Sequence, residues 1–155
     1  MTIWDRENEC LSRQALGKIQ LARLKQTVER AYRAVRHYRQ VFDGVGAAPE
    51  KIKSLGDIAY FPFLRQDDLR RNFPYGLLAV PLRDVVRVHS SSGTTGQATV
   101  VGYTRRDLDV WAELIARIVT AGGVGSDDIA QVAFGYGLFT GGFGLHYGLE
   151  RVGAT

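Results

Sequence analysis

The stretch from Asp84 to Thr104 constrains this chain more than any other. "DVVRVHS" alternates apolar and polar residues, and "ATVVGYT" is β-branched and aromatic, so both read as strands. Between them stand six consecutive small residues, Ser90 to Thr95, followed by Gly96 and Gln97. The small residues therefore form a strand-to-strand connection. Small side chains let backbone amides approach a ligand closely, and a run of inward N–H groups makes a concave anion site. Ser90, Ser91, Ser92, Thr94 and Thr95 add hydroxyl donors. Many donors without a negative charge suit a polyphosphate. On composition alone the same run also fits a Ser/Gly-rich hairpin tip. A Walker A loop does not fit, because Gly96 is followed by Gln97 and Ala98 with no lysine, and then by a strand rather than a helix.

Around that connection the chain alternates period. Leu24, Val28, Ala31, Val35 and Tyr38 recur at spacings of four and three, which predicts one apolar helix face with Arg33 opposite and Arg30 and Arg36 flanking it. "DGVGAAPE" (43 to 50) is a loop and a helical turn follows at Pro49 to Ser54. "LGDIAYFPF" is an extended or turn element around Pro62, and "RQDDLRRNF" is a short polar helix ended by Pro74. From Thr104 the helical period returns with Leu108, Trp111, Ile115, Ile118 and Val119, and Thr104 with Asp107 forms a capping box. "GGVGSDD" closes that helix, "IAQVAF" (129 to 134) reads as a buried strand, and "GYGLFTGGFG" leads into a last helix. The fold class expected is α/β: helices first, over about 1 to 80, then over 81 to 155 part of a mixed sheet with flanking helices and the phosphate-type loop. The sheet reads as unfinished, with edges open to self-association as a homodimer.

Charge, cysteine and hydropathy exclude several classes. The net charge of +4 is concentrated in residues 1 to 40, which hold nine Lys/Arg against four Asp/Glu. That is the pattern of a solvated helix face; a nucleic-acid surface is the weaker alternative, and no aromatic interleaving supports it. The single Cys10 cannot form an internal disulfide, and His37, His89 and His146 lie far apart, so no metal site is expected. No apolar run is long enough for a bilayer, and the charged start lacks a signal-peptide core, which makes a cytoplasmic location the expectation.

A second candidate site is "YGLFTGGFG", residues 136 to 144. Tyr136, Phe139 and Phe143 offer edge-on aromatic neighbours to a ligand ring, and Gly141 and Gly142 leave space for it. The same residues also fit ordinary packing beneath a glycine turn. His146 reads as a structural histidine and Trp111 as core.

"SSGTTG" before an extended segment resembles the phosphate-binding signature of adenylate-forming enzymes. "HSSSGTTGQATVVGYTRRDLDVWAE", "IKSLGDIAYFPF", "DLRRNFPYGLLAVP" and "GYGLFTGGFGLHYG" are, in that family, most similar to phenylacetate-CoA ligases. Ala98 stands where that pattern has proline, and "PFLRQDDLR" lacks its threonine and lysine. The resemblance implies an incomplete, N-terminal portion of the adenylate-forming fold. It implies activation of an arylacetate by ATP and Mg2+ to acyl-AMP, and transfer to coenzyme A. It places the phosphates on Ser91, Ser92, Gly93, Thr94, Thr95 and Gly96, and the aryl acid on Tyr136, Phe139, Gly141 and Gly142. No catalytic residue and no carboxylate for magnesium is expected within residues 1 to 155, so this stretch alone is expected to be inactive. The alternative is a stand-alone nucleotide-binding module.

Overall fold

The computed structural model describes residues 2–91, 98–137 and 140–155. Its helices are α1 (Arg6–Glu9), α2 (Arg13–Ala34), α3 (Arg36–Gly44), α4 (Gln66–Arg71), α5 (Arg105–Ala121) and α6 (Thr140–Val152), with strands β1 (Arg87–Ser90) and β2 (Val100–Tyr103) between α4 and α5. Short 3-10 turns occupy Pro49–Lys51, Leu55–Tyr60 and Leu82–Asp84. The chain divides into two compact units, one of residues 11–82 and one of residues 1–10 with 83–155. The fold is α/β, with helices dominant and a small antiparallel sheet.

In the 11–82 unit three of the five apolar positions anticipated from the helical spacing, Leu24, Val28 and Tyr38, take part in the core. Val28, Phe42, Ala47 and Ile52 are buried, with Leu21, Leu24, Tyr32, Tyr38 and Phe61 packed on them. Phe42 carries the ring contacts: Phe61 meets it edge-on at 4.9 Å and Tyr38 lies tilted at 5.8 Å. The expected single helix through Tyr38 is, however, two. Val35 has φ −120° and ψ 114°, an extended conformation that ends α2 and starts α3. β-branching favours such a backbone, and the loss of helical continuity is offset by Arg39. Its Nε donates to the Tyr32 carbonyl at 3.2 Å and its Nη2 to the Arg33 carbonyl at 2.6 Å, satisfying groups a helix end leaves open. Arg30, Arg33 and Arg36 are exposed, as a solvated face requires.

The segment 55–60, expected to be extended or a plain turn, is a 3-10 helix with its own capping box. The Asp57 carboxylate accepts from the Lys53 and Ser54 amides, both at 2.7 Å. Those two backbone bonds hold its pKa below the ordinary value of 3.8.

In the other unit, α5 begins as the sequence predicts. The Thr104 hydroxyl accepts from the Asp107 amide and the Asp107 carboxylate accepts from the Thr104 amide at 2.9 Å. It ends at Gly122, and Gly123 turns the chain away at φ +98°. The buried positions of α5 are Ala112, Ala116 and Thr120, whereas Ile118, expected on the apolar face, is 63% exposed. Small residues line the contact because α6 approaches very closely. A Cβ on Gly148 would lie 2.1 Å from Ile115 Cγ2, and one on Gly144 would lie 2.6 Å from the Trp111 ring. Only glycine permits that approach. The start of the chain is tied to α5: Trp4 Nε1 donates to Glu113 at 2.8 Å, and Arg117 pairs with Asp5.

Residues 129–134 are not a strand. Ala130 and Val132 turn partly inward while Ile129, Gln131 and Ala133 are exposed, so the alternation of a strand is present. The missing element is a ladder partner. Among the described residues the segment's neighbour is the end of the chain, with Ala130 N donating to the Thr155 carbonyl at 2.7 Å. A strand is defined by its pairing as much as by its composition.

Candidate functional site

β1 and β2 pair antiparallel, with Arg87 opposite Tyr103 and Ser90 opposite Val100. The chain between Ser90 and Val100 is therefore the connection of a hairpin, the placement anticipated for the small-residue run. Its neck is closed twice. The Ser91 amide donates to the Thr99 carbonyl at 3.0 Å, and the Ser91 hydroxyl accepts from the Thr99 amide at 2.9 Å. With its oxygen engaged in this way, the Ser91 hydroxyl keeps its proton to donate elsewhere. Ser92, Gly93, Thr94, Thr95 and Gly96 lie outside the described residues, as does Phe139.

The face of β1 that carries Arg87 and His89 looks onto α5 and α6. His89 is 1% exposed and surrounded by rings, with Tyr103 at 5.2 Å, Trp111 at 5.5 Å and Phe143 at 5.8 Å, all edge-to-face. Neither of its ring nitrogens has a hydrogen-bond partner among the described residues. Tyr103 in turn stacks on Trp111 at 5.3 Å. Burial is the main cause that lifts the Tyr103 phenol above its ordinary pKa of 10.0, with Asp107 adding to it. Arg87 lies 4.8 Å from the centres of both the Phe143 and Tyr147 rings and donates to the Tyr147 hydroxyl at 3.0 Å. At this end of β1, remote in the strand from Ser91, a cleft of about 360 Å³ is lined by Arg87, Arg105, Leu108, Asp109, Tyr147 and Arg151.

Tyr136 joins the same cluster from the irregular segment before α6. Its ring stands edge-on to Phe143 at 5.2 Å and to His146 at 5.6 Å, and its hydroxyl lies 3.2 Å from His146 Nδ1. Tyr136 is 44% exposed. Gly142 is buried, and a Cβ there would meet the Gly135 carbonyl at 3.1 Å, so the space it leaves is taken by the Gly135 backbone and the Phe134 Cβ. Gly141 sits beside it in the first turn of α6, half-buried.

The fold thus brings Ser91, at the loop neck, and Tyr136, Gly141 and Gly142 into one unit, with His89 and Phe143 among them. Arg87 and His89 were legible in principle: their two-residue spacing on a predicted strand puts them on one face. His146 follows Phe143 by three residues on α6, a helical neighbour that periodicity alone would have flagged. No three His, Cys, Asp or Glu side chains converge as a metal site among the described residues, so no residue here is assigned to magnesium. None of the described helices is long and apolar enough to cross a membrane.

No protein-family model matches the chain. Individual relatives do. The phenylacetate-coenzyme A ligase of Aromatoleum evansii is 52% identical over 147 residues, covering 95% of this chain and 33% of that enzyme. The phenylacetate-coenzyme A ligase of Escherichia coli K12 is 50% identical over the same length, covering 34% of that enzyme. The chain spans about one third of the length of the curated relatives it matches. Among solved structures, 2-hydroxyisobutyryl-CoA ligase in complex with 2-HIB-AMP and CoA superposes with a TM-score of 0.87 at 33% identity, over 97% of this chain and 32% of that one. The same enzyme in the postadenylation state with 2-HIB-AMP superposes with a TM-score of 0.86 at 30% identity. The likeness to phenylacetate-CoA ligases carried by the sequence motifs is borne out, as is the α/β part-fold of an adenylate-forming CoA ligase.

Proposed function

We propose that residues 1–155 are the N-terminal part of a phenylacetate-CoA ligase, an AMP-forming acid-thiol ligase, with 1–80 as its mainly helical portion and 81–155 as its loop-bearing, sheet-forming portion. The observation that carries this reading is the coincidence of two facts. Identity to such ligases runs through 95% of the chain, and the small-residue run is the connection of a hairpin whose neck Ser91 and Thr99 close.

The reaction proceeds in two displacements. A carboxylate oxygen of the aryl acid attacks the α-phosphorus of ATP, the bond to the β-phosphate oxygen breaks, and pyrophosphate leaves. The thiol of coenzyme A, giving its proton to solvent, then attacks the acyl carbonyl, and AMP leaves with the bonding pair. The first step joins an anion to a polyanion, so fixed donors around the phosphates lower its barrier most. In this chain that role falls to the amides and hydroxyls of Ser91, Ser92, Gly93, Thr94, Thr95 and Gly96. Tyr136, Phe139 and Gly141 form the wall for the aryl group, with Phe143 edge-on to Tyr136; Gly142, expected to leave space for the ring, instead admits the Gly135 carbonyl against α6. The step draws on magnesium that travels with ATP, and no residue of this chain is required to hold it. The location that suits such chemistry is the cytoplasm, with neither nucleic acid nor membrane as partner and a homodimer as the expected assembly.

The test is thioester formation from phenylacetate, ATP and coenzyme A, followed by chromatography. The full-length ligase bearing this segment is expected to make phenylacetyl-CoA and AMP, and residues 1–155 alone to make neither. Turnover by the isolated 155 residues, or a full-length protein that binds ATP yet activates no aryl acid, would overturn the reading. The latter result would favour the nucleotide-binding module instead.

A further inference from the structure

Tyr136 sits on a segment that no strand ladder or helix holds among the described residues. A ring on irregular backbone takes its orientation from side-chain contacts. Among the described residues Tyr136 has two ring contacts, both from α6 and one turn apart: the edge of Phe143 at 5.2 Å and the ring of His146 at 5.6 Å with an interplanar angle of 87°. Phe143 supplies an apolar contact without direction around the phenol axis. His146 supplies the directional one, the 3.2 Å approach of the Tyr136 hydroxyl to Nδ1. His146 is itself exposed and lies edge-on to Tyr147 at 5.2 Å, so its ring is seated on one side and open on the other.

We propose that His146 is a positioning residue for aryl-acid binding: its Nδ1, joined to the Tyr136 hydroxyl, locks the phenol ring in the orientation that meets the substrate's ring. The inference rests on the reading of Tyr136 as part of the acyl wall. A locked ring presents its face or edge to a planar substrate without losing rotamer freedom on binding, and affinity gained this way is preorganisation. The benefit falls on the aryl acid. ATP, held at the other candidate site, does not feel it.

Two measurements test it. In the 155-residue chain, Tyr136→Phe is expected to displace the ¹⁵N resonance of His146 Nδ1 while leaving the His37 resonances in place; an unmoved His146 signal overturns the contact. In the full-length ligase, His146→Leu is expected to raise the KM for phenylacetate about three- to tenfold, the range of one exposed-to-half-buried hydrogen bond. The effect on kcat and on the KM for ATP is expected to be smaller than twofold. His146→Asn, whose side-chain carbonyl still accepts from the phenol, recovers most of the loss, and His146→Leu adds little to Tyr136→Phe. A rise in phenylacetate KM with Tyr136→Phe but none with His146→Leu overturns the positioning role alone. If neither substitution moves that KM, the acyl-wall reading of Tyr136 fails first and the positioning role falls with it. Equal losses in kcat and both KM values with His146→Leu mark a merely structural histidine.

Discussion

The two units solve helix packing in opposite ways. α2 and α3 are held by insertion: Phe42 fills the space between them and the following turns, touching Tyr32, Tyr38 and Phe61. α5 and α6 are held by omission, with Gly144 and Gly148 bringing one helix backbone down onto the Trp111 ring and Ile115. An inserted ring stabilises through buried area and contacts, and its removal leaves a cavity. An omitted side chain stabilises through closeness, and its restoration produces overlap. The first region should therefore be sensitive to truncation and the second to enlargement. The second is also the region that carries the candidate site. Close approach of α6 is what brings Phe143 to His89 and Arg87.

The largest effect that sharpens this contrast is expected at Phe42. Phe42→Ala empties a 6% exposed ring site and should cost about 3–5 kcal/mol. Urea unfolding monitored by tyrosine signals and amide resonances of residues 11–82 measures it. A loss below about 1 kcal/mol would mean that the inserted ring is not what holds α2 and α3.

Next in size is a single substitution made in both regions. Gly148→Ala places a methyl group 2.1 Å from Ile115 Cγ2, and the required separation of α5 and α6 should cost about 1–3 kcal/mol. Gly17→Ala in α2 meets nothing within 4 Å. It should stabilise by about 0.5–1 kcal/mol, since alanine is the better helix former and restricts the unfolded chain. The signs are opposite for the same chemical change. Chemical denaturation of both variants decides it, and a stabilised Gly148→Ala would break the comparison outright.

Much of this architecture is written in local sequence, and the exceptions share a cause. The capping box at Thr104 and Asp107 is set by neighbours within four residues, and the two strands around the small-residue run pair across one short connection, so period and composition reveal them. The break at Val35 is different. The apolar spacing runs through it without glycine or proline, and what stabilises the break is Arg39 reaching back to the carbonyls of Tyr32 and Arg33. Ile118 and the 129–134 segment depart from their sequence patterns because apolar composition shows what can be buried and says nothing about which partner covers it. The glycines at 142, 144 and 148 show the same limit at the site. Composition offers space, and only the fold tells whether a ligand, backbone or a neighbouring helix takes it. For Gly142 that occupant is the backbone at Gly135; for Gly144 and Gly148 it is α5. The place of the small-residue run between two strands, by contrast, is legible because alternation and β-branching mark both flanking segments.

The smallest effect compares the two units through acid. Asp57 in the 11–82 unit is held below pKa 3.8 by the Lys53 and Ser54 amides. Asp5 in the other unit is held below the same value by the Asn8 side chain and amide, with a lesser share from Arg117. A carboxylate with a depressed folded-state pKa contributes stability that is present above the unfolded value and lost as pH falls through the folded one. The contribution of these two carboxylates should therefore be unchanged between pH 7 and about 5 and be lost only below about pH 4. Asp57→Asn should remove that acid response from the 3-10 turn at 55–60 and leave the response around α1 intact. The readout is the pH titration of the Lys53, Ser54 and Asn8 amide shifts. Midpoints at or above 3.8 for Lys53 and Ser54 would show that Asp57 is not the acceptor that anchors the turn.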